Sequence, residues 1–302
     1  MVYDETGEIL MEIKSTEFTF IKCFHHAEKS LLAPLVIACL LSFGSAVQAA
    51  TLNTWSEILD SPNDSIQGDT VGGTVYEIYK AFYRQREERI DLAFNTNFPF
   101  QGVSSSFASD GYIGFGDIII NTTGQNLSAA QGELFAIRAV SNNNSAAPNL
   151  GLLGDVSAKS VASQNGLKPA NLQAYNSYVQ SNGGQPSIGD LPANTIYFDQ
   201  NVHIPNVIAS GTWLDNVQWL SPADLSGLGG PGQYTYGVSF ASSILPDGSF
   251  IFHWGPECNN DVIAGIVEKI RVPEPSNVLG FALMLIGLAT KFITGVVKPA
   301  LK

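Results

Sequence analysis

Cysteine is almost missing from this chain. Its 302 residues hold three, Cys23, Cys39 and Cys258. Charge is scarce as well, at 14 % of residues, with a formal net charge of −12 at pH 7. Between residues 50 and 271 acidic side chains outnumber basic ones about two to one, and four of the basic ones crowd into Lys80–Arg89. A surface built for nucleic acid or an anionic membrane is basic, so neither is expected as a partner. Histidine is rare too: beyond residue 50 only His203 and His253 occur. The Gly-x-Ser-x-Gly and His-Glu-x-x-His patterns are absent. Gly-x-Gly-x-x-Gly occurs once, at Gly227–Gly232. A dinucleotide site needs a helix to start there, and the alternating Tyr234–Phe240 follows instead, so the stretch reads as a flexible loop.

Both ends of the chain carry apolar runs. Lys29-Ser30 precedes Leu31–Leu41, about eleven apolar residues, followed by small residues up to Ala49-Ala50. That order is expected of a signal peptide cleaved after Ala49, with an over-long n-region in which Met11 suggests a later start. Cys23 and Cys39 would leave with it, so Cys258 remains alone, no intramolecular disulfide is available, and the fold must rest on its core. At the other end, Val278–Val297 is about twenty residues, roughly 30 Å as a helix, with Lys291 inside it and Lys298 and Lys302 beyond. The fully uncharged part is only about thirteen residues, which suits a transient or processed anchor. Pro273 and Pro275 separate this span from what precedes it.

The order Pro273-Glu274-Pro275-Ser276, apolar run, then Lys291 and Lys298 resembles the PEP-CTERM sorting signal of exosortase-dependent bacterial surface proteins. The resemblance covers residues 272–302. The lysines here are spread out where that family places a tight basic cluster. It implies export, recognition by an exosortase-type membrane enzyme, membrane contact through the C-terminal segment before processing, and delivery to the envelope, surface or extracellular matrix of a Gram-negative-type bacterium.

Between these ends, residues 50–271 are expected to form one mainly β domain, a β-sandwich or jelly-roll with one short helix. Residues 51–73 read as a lead-in segment. Val75–Thr96 reads as a β-hairpin: Ile90, Leu92 and Phe94 share one face, and Gln85-Arg86-Glu87-Glu88 is a charged turn. Further strands are expected at 112–121, 133–140, 152–158, 194–198, 207–210, 213–220, 234–240, 250–254 and 262–267. Gly114 and Gly116 mark a bulge or close approach. Leu172, Tyr175, Tyr178 and Val179 lie at helical spacing, so 169–181 is expected as a helix.

Candidate chemistry is thin, and no catalytic residue is assigned. His253-Trp254-Gly255-Pro256-Glu257-Cys258 sets a His, a Glu and a Cys close in sequence, as a thiol hydrolase or a metal site needs, but on a strand followed by Gly-Pro they need not converge. Cys258-Asn259-Asn260-Asp261 resembles the Cys-Gly-Asn-Asp run of several PEP-CTERM surface proteins, with Asn259 in place of Gly. Such a turn either offers Asn and Asp oxygens to Ca²⁺ or caps a strand. Asp110, Asp117 and Asn121 form a second oxygen-rich stretch. Trp213, Trp219 and Trp254, with nearby tyrosines, read either as sandwich core or as a sugar-stacking platform. The expectation is thus an exported, non-enzymatic polysaccharide-binding or structural module. Asp110, Asp117, Asn259, Asn260, Asp261 and Trp254 are its calcium or glycan candidates, and a secreted hydrolase of polysaccharide or peptide is the alternative.

Overall fold

Short runs rich in β-branched and aromatic residues, broken by Gly, Asn and Pro, become strands throughout the computed structural model, which describes residues 52–270. The strands are β1 (Ser56–Leu59), β2 (Ile66–Gln67), β3 (Thr70–Val71), β4 (Ile78–Gln85), β5 (Arg89–Thr96), β6 (Val103–Ser104), β7 (Tyr112–Ile113) and β8 (Ile118–Asn121). They continue with β9 (Leu134–Arg138), β10 (Gly151–Lys159), β11 (Val207–Asp215), β12 (Gln218–Trp219), β13 (Tyr234–Ala241), β14 (Gly248–Trp254) and β15 (Ile263–Lys269). One α-helix, α1 (Leu172–Ser181), lies between β10 and β11 among the described residues. The chain is therefore mainly β. The signal segment (1–49, with Ala49 and Ala50) and the sorting segment (272–302, with Pro273, Glu274, Pro275, Lys291 and Lys298) lie outside the described residues. Among the described residues no helix is long and apolar enough to cross a membrane.

Two larger sheets carry the fold. One has the order β1-β4-β5-β13-β12 and the other β11-β10-β9-β8-β14-β15. A single core joins them: Ile78, Leu92, Phe94 and Phe240 of the first pack with Ile120, Leu152, Phe252 and Trp254 of the second. This packing is consistent with a β-sandwich. A second core lies on the outer face of the six-stranded sheet, where Ile119, Ala136, Leu153 and Ile208 meet Leu172, Tyr197 and Phe198. Strands of that sheet are thus buried on both faces, and their sequence is a near-continuous apolar run rather than an alternation. Ile118, Ile119 and Ile120 show this directly.

The expected hairpin forms. β4 and β5 pair from Ile78↔Thr96 to Gln85↔Ile90, and Arg86 N–H donates to Arg89 O at 2.8 Å to close the turn. Its charges do more than face water. Asp91 is fully buried and accepts from Arg84 Nη2 at 2.7 Å and Arg86 Nη2 at 2.8 Å. Beside the same turn, the Gln85 side chain grips the backbone of Ile270. Its Nε2 donates to Ile270 O at 2.6 Å and its Oε1 accepts from Ile270 N at 2.7 Å.

Several expected elements change. The single strand over 112–121 is two, β7 and β8, separated at the glycines. A Cβ at Gly116 would collide with Gly255 O and sit 2.9 Å from Asn206 O, so the chain breaks pairing there to let three backbones meet. The strand at 194–198 does not form: Ile196 is almost wholly exposed, and Tyr197 N bonds back to Thr195 Oγ1 at 3.1 Å. Residues 207–220 divide differently, with β11 running unbroken from Val207 to Asp215 in one sheet and β12 crossing to the other. Helix α1 starts at Leu172 rather than Pro169, because Asn171 accepts from Ala174 N at 2.8 Å as its N-cap. The lead-in segment contains three short strands.

Gly116→Ala is expected to cost about 2–4 kcal/mol of unfolding free energy, because neither facing carbonyl can retreat. Gly229→Ala, where a Cβ meets open space, is expected to stay within about 0.5 kcal/mol of the parent. Denaturant midpoints of the two variants check this.

Candidate functional site

Three places concentrate polar or exposed aromatic chemistry. The first is the seam where the 110–121 and 257–261 stretches come together, as the oxygen-rich candidates require. They meet through Glu257. Glu257 accepts from Gly114 N at 2.7 Å and from Asn144 N, and Phe115 pairs with Pro256 as a β-bridge. Asp117 is fully buried and satisfied by Asn143 Nδ2 at 2.7 Å and Ile208 N at 2.8 Å. Asn206 Nδ2 donates to Glu257 O at 2.7 Å and to Asn259 Oδ1 at 2.8 Å, while Asn259 Nδ2 donates to Ile204 O at 2.5 Å. Asn259 itself sits at φ 49, the left-handed turn position that Asn tolerates. Asn260 O accepts from Ile66 N at 2.8 Å and Tyr175 Oη at 3.0 Å. Asp110 is exposed and bonds Tyr112 N and Asn144 Nδ2, both at 3.1 Å. Here side-chain oxygens are spent on backbone N–H groups and side-chain amides. The Asn259 side chain is thereby tied to Asn206 and Ile204.

His253 and Cys258 do not face each other. Alternation along β14 turns Phe252 and Trp254 into the core between the sheets and His253 to the opposite face, edge-on to Phe198 at 5.1 Å. Its Nε2 lies 2.8 Å from Pro205 O, which fixes that nitrogen as the proton carrier. Cys258 is buried in the inter-sheet core. Burial pushes its thiol well up, away from the thiolate that nucleophilic work requires. Trp254 is also fully enclosed, 4.3 Å from Phe115 and 4.8 Å from Phe94 between ring centroids, so its face is not open to a sugar.

The second place is not legible in the sequence. Asp64, Glu77 and Asp261, all buried, bring one carboxylate oxygen each to within 4.8 Å of one another. Asp64 comes from the loop after β1, Glu77 from the residue before β4, and Asp261 from the turn between β14 and β15. Asp60 adjoins them. Ser187 N donates to Asp64 Oδ2 at 2.7 Å, Gly189 N to Asp60 Oδ1 at 3.2 Å, Ser65 Oγ to Glu77 Oε2 at 2.5 Å and Ile78 N to Asp261 Oδ2 at 2.6 Å. Burial, then mutual repulsion, raises the Asp64 and Asp261 carboxyls far above the usual range; burial raises Asp60 and Glu77 too. Of the residues expected from sequence, only Asp261 belongs to this cluster. The other three converge on it from the opposite end of the domain's sequence, which no spacing rule reveals.

The third place is an aromatic rim. From the core outward, Trp254 meets Phe115, Phe115 meets Phe100 at 5.6 Å, and Trp219 stands edge-on to Phe100 at 4.5 Å. Tyr236 lies 5.6 Å from Phe100, and Tyr234 stacks on Tyr236 at 5.6 Å with an interplanar angle of 15°. Trp219 (43 %) and Tyr234 (36 %) are the exposed ends of this run. Trp213, 42 % exposed, stands apart on β11, its Nε1 donating to Leu150 O at 3.0 Å.

Glu257 and His253 titrate in opposite senses. Burial pushes the Glu257 carboxyl up to about 7, and burial pushes His253 down to about 4. Glu257 binds its proton more tightly when folded, so its contribution is full below about 4.5 and is lost as pH rises through 7. The His253 contribution is full above about 6.5 and is lost as pH falls through 4. The stability of Glu257→Gln minus that of the parent is therefore expected to rise from pH 4.5 to 7, on top of a pH-independent cost because its NH2 faces one of the two backbone N–H groups, checked by paired urea titrations across that range. No family model matches the chain, and no curated protein and no solved structure matches it.

Proposed function

We propose that this is an exported, exosortase-sorted surface or extracellular-matrix protein whose 50–271 domain, a β-sandwich, binds extracellular polysaccharide without turning it over. The observation that carries the binding half is the aromatic rim. Trp219 and Tyr234 present partly exposed rings, and Phe100 and Tyr236 hold them from behind, with Phe100 N donating to Tyr236 Oη at 3.0 Å. Rigid aromatic surface of this kind stacks on the C–H faces of sugar rings at low entropic cost. The address half rests on sequence. A signal peptide ending at Ala49 would export the chain. Pro273-Glu274-Pro275, the apolar run and its lysines would then present it to an exosortase-type membrane enzyme. Its destination is the envelope, surface or matrix of a Gram-negative-type bacterium.

The test mixes the purified protein with the producer's own extracellular polysaccharide and measures sedimented protein and released sugar. Retention without sugar release is expected. Trp219→Ala and Tyr234→Ala should each weaken retention roughly tenfold, about the loss of half a buried aromatic side chain, while Trp213→Ala leaves it unchanged. Retention equal in all three variants would remove the rim from the reading, and sugar release would move the protein to the hydrolase class.

A further inference from the structure

The same fold neutralises one buried carboxylate with two arginines and leaves a cluster of four others, Asp60, Asp64, Glu77 and Asp261, without any. Asp91 holds Arg84 and Arg86. Among the described residues no Lys, Arg or His forms an ion pair with Asp60, Asp64, Glu77 or Asp261. Isolated charge in a protein interior costs several kcal/mol per ion after relaxation, so at neutral pH the cluster must either hold protons or gather a cation. Its hydrogen bonds do not supply one, and they leave oxygens over. Asp64 is fully buried, yet its Oδ1 has no hydrogen-bond partner, and neither has the enclosed Oδ2 of Asp60. Both are carboxylate oxygens whose sister atoms are already bonded, Asp64 Oδ2 to Ser187 N and Asp60 Oδ1 to Ser61 N and Gly189 N.

The geometry points to a Ca²⁺ site built by Asp64, Glu77 and Asp261, with Asp60 at its margin. All the donors are hard oxygens, which favours calcium or magnesium over zinc. Oxygens on opposite sides of a bound Ca²⁺ stand roughly 4.6–5.2 Å apart, and around Mg²⁺ about 4.0–4.2 Å. The three ligand atoms all lie within 4.8 Å of one another, close enough for one ion to bridge, and a cage made wholly of protein carboxylates suits Ca²⁺ better than Mg²⁺, which gives up its water reluctantly. The ion would knit the loop after β1 and the start of β4 to the turn before β15. It would also draw in the 187–190 segment, which already reaches over through the Ser187 and Gly189 amides. An open cavity of about 390 Å³ lined by Ile66, Tyr76 and Asn260, chain neighbours of these ligands, gives solvent a route to their vicinity.

The test strips the purified chain with EGTA and then titrates CaCl₂, with MgCl₂ in parallel. Bound calcium is counted by elemental analysis and unfolding is followed thermally. One Ca²⁺ per chain is expected, with Tm rising by on the order of 5–10 °C at a hundredfold excess over Kd, and by less with Mg²⁺. Asp64→Asn and Asp60→Asn keep the oxygens that accept backbone N–H bonds and alter only the unpartnered ones. Each should weaken calcium binding at least tenfold. In EGTA, where it relieves repulsion, Asp64→Asn should melt no lower than the parent, and in calcium it should melt below it. An Asp110→Asn control should bind calcium like the parent. No retained calcium and an unchanged Tm in the folded parent would overturn the site, as would an Asp64→Asn variant more stable than the parent in both buffers. Loss of calcium from Asp110→Asn alone would place the ion elsewhere and overturn it equally.

Discussion

Apolar burial between two sheets has to hold this chain, because its described residues contain no disulfide and very little charge to pair. The burden falls on a connected series of rings. Phe252, Phe94, Trp254 and Phe115 touch in sequence through the middle of the domain, tilted or edge-on rather than face to face. Because the series continues through Phe100 to Trp219 and Tyr236, the rings that reach the surface are not isolated side chains on loops. They are the outer end of the core, held with the core's rigidity. Exposed aromatic surface held in this way needs no further ordering to make a contact.

Around that core the chain treats buried carboxylates in three ways. Asp91 is answered by arginines across a hairpin turn. Asp117 and Glu257 are answered by amides, which makes them staples between loops distant in sequence. In the Asp64, Glu77 and Asp261 group, Glu77 and Asp261 accept bonds on both oxygens, while Asp64 is answered on one oxygen only. The contrast lies in what surrounds each group. The hairpin that carries Asp91 also carries Arg84 and Arg86, within seven residues of it. The other cluster forms where three segments meet, and the basic residue near it in sequence, Lys80, pairs with Glu57 instead. Low basic content is thus a folding problem for this sequence, solved locally in one place and left open in another.

Much of the β architecture can be read in advance. Ile90, Leu92 and Phe94 alternate, and the Gln85–Glu88 turn is polar, so the β4–β5 hairpin follows from local pattern alone. The helix is equally legible, since Leu172, Tyr175 and Val179 lie on one face and are all buried. Its start differs from the expected one because an Asn N-cap outweighs an upstream proline. Legibility fails where both faces of a strand are covered. Ile118–Asn121 is buried throughout and gives no alternation that marks its ends, and Tyr112–Asn121 breaks for a reason, the approach of Gly255 and Asn206, that lies far away in sequence. Functional groups are harder still. Asp261 stands out in the sequence for its oxygen, whereas Asp60, Asp64 and Glu77 look like ordinary turn and strand residues until the fold gathers them. Trp254 has the composition of a ligand platform and the position of a keystone.

The clasp of Gln85 on Ile270 bears on how the domain carries load. Any pull on the chain from beyond residue 270 reaches the domain at Ile270. Without a clasp that force would act on β15, an edge strand paired on one side only, and could peel it from β14 one hydrogen bond at a time. The paired bonds to a buried amide on β4 pass the tension to the opposite sheet first. The two sheets are then loaded together, and the exit of the chain behaves as a fixed mechanical anchor rather than a loose end.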